Sequence, residues 1–149
     1  MKITNKTNTL HNTLRELSDL CFTGIEVPTE AEFRLHFDKD DVFVNLAKRG
    51  NLFAEAAVEA YAIVDNRLSR PFIWQIATDP AYRGRGFASS LLQEIEKYYT
   101  PTATNIELAV RQDNLTAQMT YLKNGYVFAA LLKNFYGHQV NGVLMRRNL

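Results

Sequence analysis

Hydrophobic positions along the chain switch between two periods, and each switch marks an element. Leu10, Leu14, Leu17, Leu20 and Cys21 recur at helical spacing up to about Phe22, after a polar Thr/Asn-rich start in which Asn8 or Thr9 can cap; Thr23-Gly24 ends the run. Thr29, followed by Glu30 and Glu32, reads as the start of a second helix with Phe33 and Phe37 on its apolar face, ending near Phe37. After Asp40-Asp41 the period falls to two, and strands are expected over residues 42–47, 56–64 and 72–78, joined by polar turns at 48–51 and 65–70 as an antiparallel meander. On the middle strand Glu59, Tyr61 and Ile63 share one face, and Val58, Ala60, Ala62 and Val64 the other. Helical spacing returns at positions 87, 88, 91, 92, 95 and 98 and stops at Thr100-Pro101-Thr102. A strand over 106–110 then runs parallel to the strand before the helix crossover. Asn114 or Asp113 caps a further helix whose face carries Ala117, Tyr121 and Leu122, closed by Lys123-Asn124-Gly125. Strands over 126–135 and 142–147 finish the chain, joined by a loop over 136–141. The pattern is α+β, with a mixed sheet between helices.

The most informative junction lies between the third strand and the third helix. Asp79-Pro80 breaks the strand, since proline has no N–H to donate and restricts the residue before it. Arg83-Gly84-Arg85-Gly86-Phe87-Ala88 then feeds the helix start. The first N–H groups of a helix lack intrahelical partners and sit at the positive end of its dipole. Glycines there permit positive φ and close approach, and arginines add fixed charge, so the expected ligand is a phosphate or pyrophosphate. No Gly-Lys-Ser/Thr follows, which excludes a Walker loop, and two glycines two residues apart are not a dinucleotide fingerprint.

Composition narrows this reading only a little. A chain of 149 residues fits a single domain over 1–149, and 46% hydrophobic with 22% charged residues is ordinary for a globular protein. A net charge of +1 argues against a broad nucleic-acid or membrane surface. One cysteine, Cys21, excludes an intrachain disulfide and is expected to pack as a small apolar residue. The start of the chain shows no signal peptide and no run approaches the roughly 18–20 apolar residues of a membrane span, so a cytoplasmic location is expected. His11, His36 and His138 have no metal-ligand spacing, so no metal is expected, and His36 reads as an ordinary helical histidine.

Arg83-x-x-Gly86-x-Ala88, after a strand ending in Asp79-Pro80 and before an amphipathic helix, resembles the acetyl-CoA-binding motif of the GNAT family of N-acetyltransferases. Asn114, Ala117, Tyr121, Gly125 and Tyr126 resemble the family's second motif, Asn-x-x-Ala-x-x-x-Tyr-x-x-x-Gly-Phe/Tyr. The resemblance covers residues 42–147 well and 1–41 loosely. It implies a GNAT fold, with a mixed central sheet of roughly six to seven strands and about four helices, and acetyl-CoA as cosubstrate. The loop amides and side chains of Arg83, Gly84, Arg85, Gly86, Phe87 and Ala88 would hold the pyrophosphate. Ile76, Ala77 and Thr78 would pair with the pantetheine arm, with Asn114 and Ala117 also against the cosubstrate. Lys133-Asn134-Phe135-Tyr136 is similar to the peptide-gripping segment of the protein N-terminal branch, which includes ribosomal-protein-alanine acetyltransferases. There Phe135 replaces a tyrosine and the following loop is short.

The reaction implied is direct attack of a neutral amine on a thioester. A base must take the amine's proton and an acid serve the leaving thiolate. The resemblance gives the acid role to Tyr121. The usual position for the base, five residues before Asn114, holds Ala109, which cannot serve. Glu107 and Glu59 are the remaining candidates, with Glu107 slightly ahead, and Tyr61, Tyr136 and His138 are candidate acceptor contacts. The acceptor is a protein N-terminus or a small amine, and the state a monomer or homodimer. The alternative is a catalytically weak or inactive acyl-CoA-binding module acting as a sensor or partner subunit.

Overall fold

A computed structural model describes residues 1–23, 26–47, 57–66 and 70–149. Among them the chain runs β1 (Lys2–Ile3), α1 (Asn8–Cys21), α2 (Glu30–Lys39), β2 (Asp41–Leu46), β3 (Val58–Asp65), β4 (Phe72–Thr78), α3 (Phe87–Tyr99), β5 (Asn105–Arg111), α4 (Leu115–Lys123), β6 (Val127–Leu132) and β7 (Gly142–Asn148). The seven strands form one sheet in the order β1-β2-β3-β4-β5-β7-β6. Neighbours are antiparallel except β4 and β5, which the α3 crossover makes parallel.

Local chemistry explains the boundaries. Thr7, one residue before the expected caps, closes α1 by accepting from Leu10 N at 3.1 Å. Thr29 and Glu32 form a reciprocal capping box at α2. The short β1, lying within the polar start, pairs with β2 and was not visible as a hydrophobic pattern. Gly125 ends α4 at φ +80°, as the helix-closing motif predicts. β6 stops at Leu132, three residues before its expected end, because residues 133–141 turn back on themselves. The expected turn at 48–51, residues 67–69 of the expected turn at 65–70, Ala56 at the start of the expected 56–64 strand and Gly24 at the end of α1 fall outside the described residues.

The sheet separates two cores. On one side Ala60, Ala62 and Val64 of β3 pack with Leu91, Leu92, Ile95 and Tyr99 of α3 and with Leu108 and Val110 of β5. On the other, Tyr61 and Ile63 of β3 pack with Leu14 and Leu17 of α1 and Phe33 and Phe37 of α2. The two faces expected for the middle strand are therefore both buried, which accounts for the near-continuous apolar run. Tyr61 is fully buried, its hydroxyl donating to Gln75 Oε1 while Gln75 Nε2 donates to Ser18 Oγ at 3.0 Å. Tyr61→Phe leaves the Gln75 carbonyl short of its donor, so it is expected to destabilise the fold by about 1–3 kcal/mol. A lowered urea midpoint with an unchanged acceptor KM checks this; a raised KM with unchanged stability contradicts it.

One irregularity positions the site. Ile63 pairs with Gln75 and Val64 with Ile73, so Trp74 is an extra residue on β4. This bulge turns the Trp74 ring towards α2, where it stacks on His36 at 4.0 Å between centroids. His36 is thereby a packing residue, its Nδ1 bonded to the buried Asp40 carboxylate. Beyond the bulge β4 leaves β5: the two pair only at Phe72↔Glu107 and Ile73↔Leu108.

Candidate active site: the cleft between the splayed strands

Parting two adjacent strands leaves main-chain groups without a ladder partner, and this geometry builds the cleft. The space holds about 410 Å³, within the usual size of a small-molecule site. Its walls come from β4 (Phe72 to Thr78) and β5 (Leu108 to Arg111), with Asn114, Ala117 and Tyr121 of α4. Asp79 N donates to Glu59 O on β3 at 2.9 Å. Backbone direction alternates along a strand, so Thr78 and Ile76 aim their N–H and C=O groups the other way, into the opening. The Thr78 carbonyl is reached there by the Cys21 thiol at 3.3 Å and by Arg83 Nε at 3.4 Å. Burial raises the Cys21 pKa, which keeps it a thiol and a packing group.

At one end of the cleft the 83–88 loop enters α3. Gly84 (φ +75°) and Gly86 (φ +83°) are both left-handed. A Cβ at either would meet nothing within 4 Å, so the sign of φ, not space, calls for glycine. Gly86 is the N-cap and no side chain caps the helix, whose first internal bond is Ser90 N to Gly86 O at 2.9 Å. The N–H groups of the first turn thus face outward at the positive end of a 13-residue helix. Arg83 lines the cleft, while the exposed Arg85 lies over the Tyr82 ring at 5.3 Å. Phe87 and Ala88 are half-buried, with the Phe87 side chain packed against the core and its carbonyl taking Asn45 Nδ2 at 3.1 Å.

The middle of the cleft belongs to α4. Asn114 Oδ1 accepts from Ala117 N at 3.1 Å and so fixes the helix start at the end of β5. Tyr121, one turn further on, is 8% exposed in the cleft wall. Burial, with a smaller contribution from the neighbouring Tyr136, pushes its hydroxyl far above the usual phenol range, so it stays a donor throughout the neutral range. Its helix neighbour Leu122 faces outward, and the buried place on that side belongs to Gln118, whose Nε2 donates to Arg111 O and Gln112 O at 2.9 Å each.

The opposite end is closed by two segments. One is the β6–β7 connection, which brings Phe135 and Tyr136 to the cleft. It is braced by Asn134 Oδ1 accepting from Gln139 N at 2.8 Å and by Asn141 Nδ2 donating to Gln112 Oε1 at 3.0 Å. Asn134 and Gln139 adopt φ of 54° and 59°, sparsely populated values that the bracing holds in place. The Tyr136 hydroxyl is pushed up to about 12, first by burial and then by Glu26, against the pull of Arg111. The other segment, between α1 and α2, contributes Phe22, Glu26, Val27 and Pro28. Sequence patterning missed it; an acid among apolar residues ahead of a proline is the only hint it offers.

Four candidate side chains are not brought to the cleft. Glu107 sits where β4 and β5 are still paired, and its carboxylate is held by Arg146 of β7 at 2.6 and 2.7 Å. Glu59 is half-buried on β3, the strand beyond β4, and is not among the lining residues. Tyr61 points into the α1/α2 core, and His138 is exposed on the far part of its loop. Both were expected on a cleft-facing surface; the first is captured by Gln75 and the second turned outward by the left-handed bends.

Among the described residues His36, Asp40 and Asp65 offer potential ligand atoms within 4.8 Å of one another, and His36 Nδ1 is already engaged with Asp40. No helix of the described residues is long and apolar enough to cross a membrane.

Comparison with known proteins agrees with this geometry. The family model of the acetyltransferase (GNAT) family matches residues 11–126. A ribosomal protein bS18-alanine N-acetyltransferase of Haemophilus ducreyi is 32% identical over 91 residues, covering 58% of this chain and 63% of that one. The chain therefore spans less than two thirds of that relative's length in the match. The Salmonella typhimurium protein of the same name is 27% identical over 137 residues, covering 85% and 93%. A crystal structure of Arabidopsis thaliana NAA60 in complex with acetyl-CoA superposes with a TM-score of 0.82 at 16% identity, covering 100% of both chains.

Proposed function

The chain belongs to the GNAT acetyltransferase family, and from that premise we propose that residues 1–149 act as one acetyl-CoA-dependent N-acetyltransferase domain whose acceptor is a protein N-terminus. The observation that carries the cosubstrate is the joint geometry of the Gly86-capped helix and the splayed β4. A pyrophosphate suits the outward N–H groups of α3 with Arg83 beside them, and an amide-bearing arm can pair with Ile76 and Thr78 as an added strand. The relatives' names favour a peptide acceptor, as does the groove between Val27-Pro28 and Phe135-Tyr136, which is walled largely by apolar side chains and backbone. A small polar amine would instead call for several free carboxylates; Glu59 and Glu107 do not reach the cleft, and of the two acids that line it, Glu26 and Glu32, the second is held by the Thr29 cap.

The acetyl group moves by direct transfer. The amine's lone pair forms the N–C bond at the thioester carbonyl, and the resulting oxyanion lies by the N–H groups of the parted strand. The C–S bond then breaks with its electron pair going to sulfur, which takes the Tyr121 hydroxyl proton to leave as a thiol. Tyr136 contacts the acceptor near the amine. With one free cysteine and a single-domain length the enzyme is proposed to work in the cytoplasm, as a monomer or homodimer.

Thiol release from acetyl-CoA, followed against peptides with varied first residues, polyamines, amino acids and aminoglycosides, tests the reading. Turnover confined to peptides is the expected outcome. Turnover confined to a small amine removes the peptide assignment. Tight acetyl-CoA binding without any turnover favours the acyl-CoA-binding module, for which Ala109 in the usual base position is the one specific observation.

A further inference from the structure

The reaction needs a proton acceptor, and neither carboxylate on the sheet reaches the cleft. Two carboxylates from outside the sheet do, Glu26 and Glu32, and Glu32 is taken up by the Thr29 capping box, its Oε2 accepting from Thr29 N and Oγ1 at 2.8 Å each. Glu26, between α1 and α2, lines the same cavity as Ala109, Tyr121 and Tyr136, with a side chain only 19% exposed. Its Oε1 lies 3.8 Å from Arg111 Nε, too long for a hydrogen bond but close enough to orient it. Arg111 itself is committed elsewhere, its Nε and Nη2 donating to the two Asp113 carboxylate oxygens at 2.9 and 2.7 Å. Glu26 therefore forms a loose ion pair with a cation whose hydrogen bonds go to Asp113. This contrasts with Glu107, which is paired directly with Arg146, both of whose nitrogens lie on its Oε1.

We propose that Glu26 is the general base of acetyl transfer, a carboxylate supplied from the α1–α2 segment in place of the one that Ala109 cannot provide. The inference rests on the acetyltransferase reading and assigns a further catalytic residue to it. The bound ammonium of the acceptor gives one proton to the Glu26 carboxylate, directly or through one water, and becomes a neutral amine. After attack, the second proton on nitrogen leaves by the same route once Glu26 has released the first to solvent. The Tyr121 phenolate, formed as its proton moves to sulfur, is reprotonated from solvent, so the sum is one amide, one thiol and one proton released.

The surroundings suit the task. Burial raises the Glu26 pKa and Asp113 adds to it, while Arg111 opposes both. Tyr136 faces it from the β6–β7 loop, and Cys21, Glu32, Arg83 and Tyr121 are the other ionisable groups lining the cavity. A carboxyl raised above its ordinary value is a stronger base towards an ammonium. Activity falls at acid pH as Glu26 takes up its own proton. An α-amino group titrates at about 7.7–8.0 when nothing strips it. The natural protein should hold its kcat well below that range.

The test compares the natural protein, Glu26→Gln, and Glu26→Gln with Ala109→Glu, using acetyl-CoA and the best peptide substrate. The expected result for Glu26→Gln is a kcat loss of about a hundredfold, with acetyl-CoA affinity unchanged and the acid limb of kcat moved up to about 8. Restoring a carboxylate at position 109 should recover at least about a tenth of the rate and return the limb to lower pH. An unchanged kcat and pH limb in Glu26→Gln overturns the assignment, as does a rise in acceptor KM alone, which would make Glu26 a binding group. If the natural protein binds acetyl-CoA but transfers nothing, the enzyme reading fails first and takes this one with it.

Discussion

Tyr121→Phe lowers kcat by about 10²–10³, or roughly 2.7–4 kcal/mol of transition-state stabilisation, and leaves acetyl-CoA affinity within about twofold. The size follows from the leaving group. A thiolate of pKa near 8.5 departs without help far better than an alkoxide, so an acid contributes towards the lower end of its usual range. The selectivity for kcat follows from packing. Phenylalanine keeps the ring that closes the wall against Tyr126, 6.1 Å away between centroids, and removes only the hydroxyl. The Tyr121 hydroxyl also stays protonated well into the alkaline range, because burial pushes its pKa far up. The natural protein should therefore show no alkaline loss attributable to it up to about pH 10. Single-turnover thiol release separates the chemical step from product release. A kcat within threefold of the natural rate would reduce Tyr121 to a packing group, and a matching loss of acetyl-CoA affinity would show that the hydroxyl serves binding instead.

What the sequence made legible, and what it hid, follows from the range of the interactions involved. The anion loop was readable because its determinants are local: positive φ at Gly84 and Gly86, a proline break, and an amphipathic helix directly after. Asn114 and Tyr121 were readable because one capped helix carries both. The β4 and β7 strands were expected to within a residue, since their periodic patterns end at Pro80 and begin at Gly142. The bulge at Trp74 was not readable. It is a register event, fixed by how β3 and the His36–Trp74 stack fit together, and no property of residues 72–78 alone announces it. Glu107 and Tyr61 were misplaced for the same reason. Each has the right chemistry on the right strand, and each is captured by a partner far away in sequence, Arg146 and Gln75. Glu26 reaches the cleft from a segment with no periodic pattern at all, through the packing of α1 and α2 against the sheet.

The cosubstrate end of the cleft carries the other large effect. Gly86→Val should weaken acetyl-CoA binding by at least about a hundredfold, at a stability cost of about 1–2 kcal/mol. Position 86 has φ +83°, which a β-branched residue does not adopt without strain. There is room for the added atoms, since nothing lies within 4 Å of a Cβ there, so the backbone and not a clash must yield. When it yields, the first turn of α3 re-aims its N–H groups. An anion site made of aligned donors loses most of its value once they stop converging. The body of α3 is anchored independently by Leu91, Leu92 and Ile95, each at most 2% exposed, so the fold should survive the change. Arg85→Ala is the matched control, because Arg85 is exposed and rests on Tyr82. It should weaken binding only a few-fold, and by less as salt is raised. Calorimetric titration with acetyl-CoA at two salt concentrations, beside thermal melts, reads all of these. If Gly86→Val binds within fivefold of the natural protein while melting lower, the pyrophosphate is held by side chains, and the helix N-terminus is not the anion site.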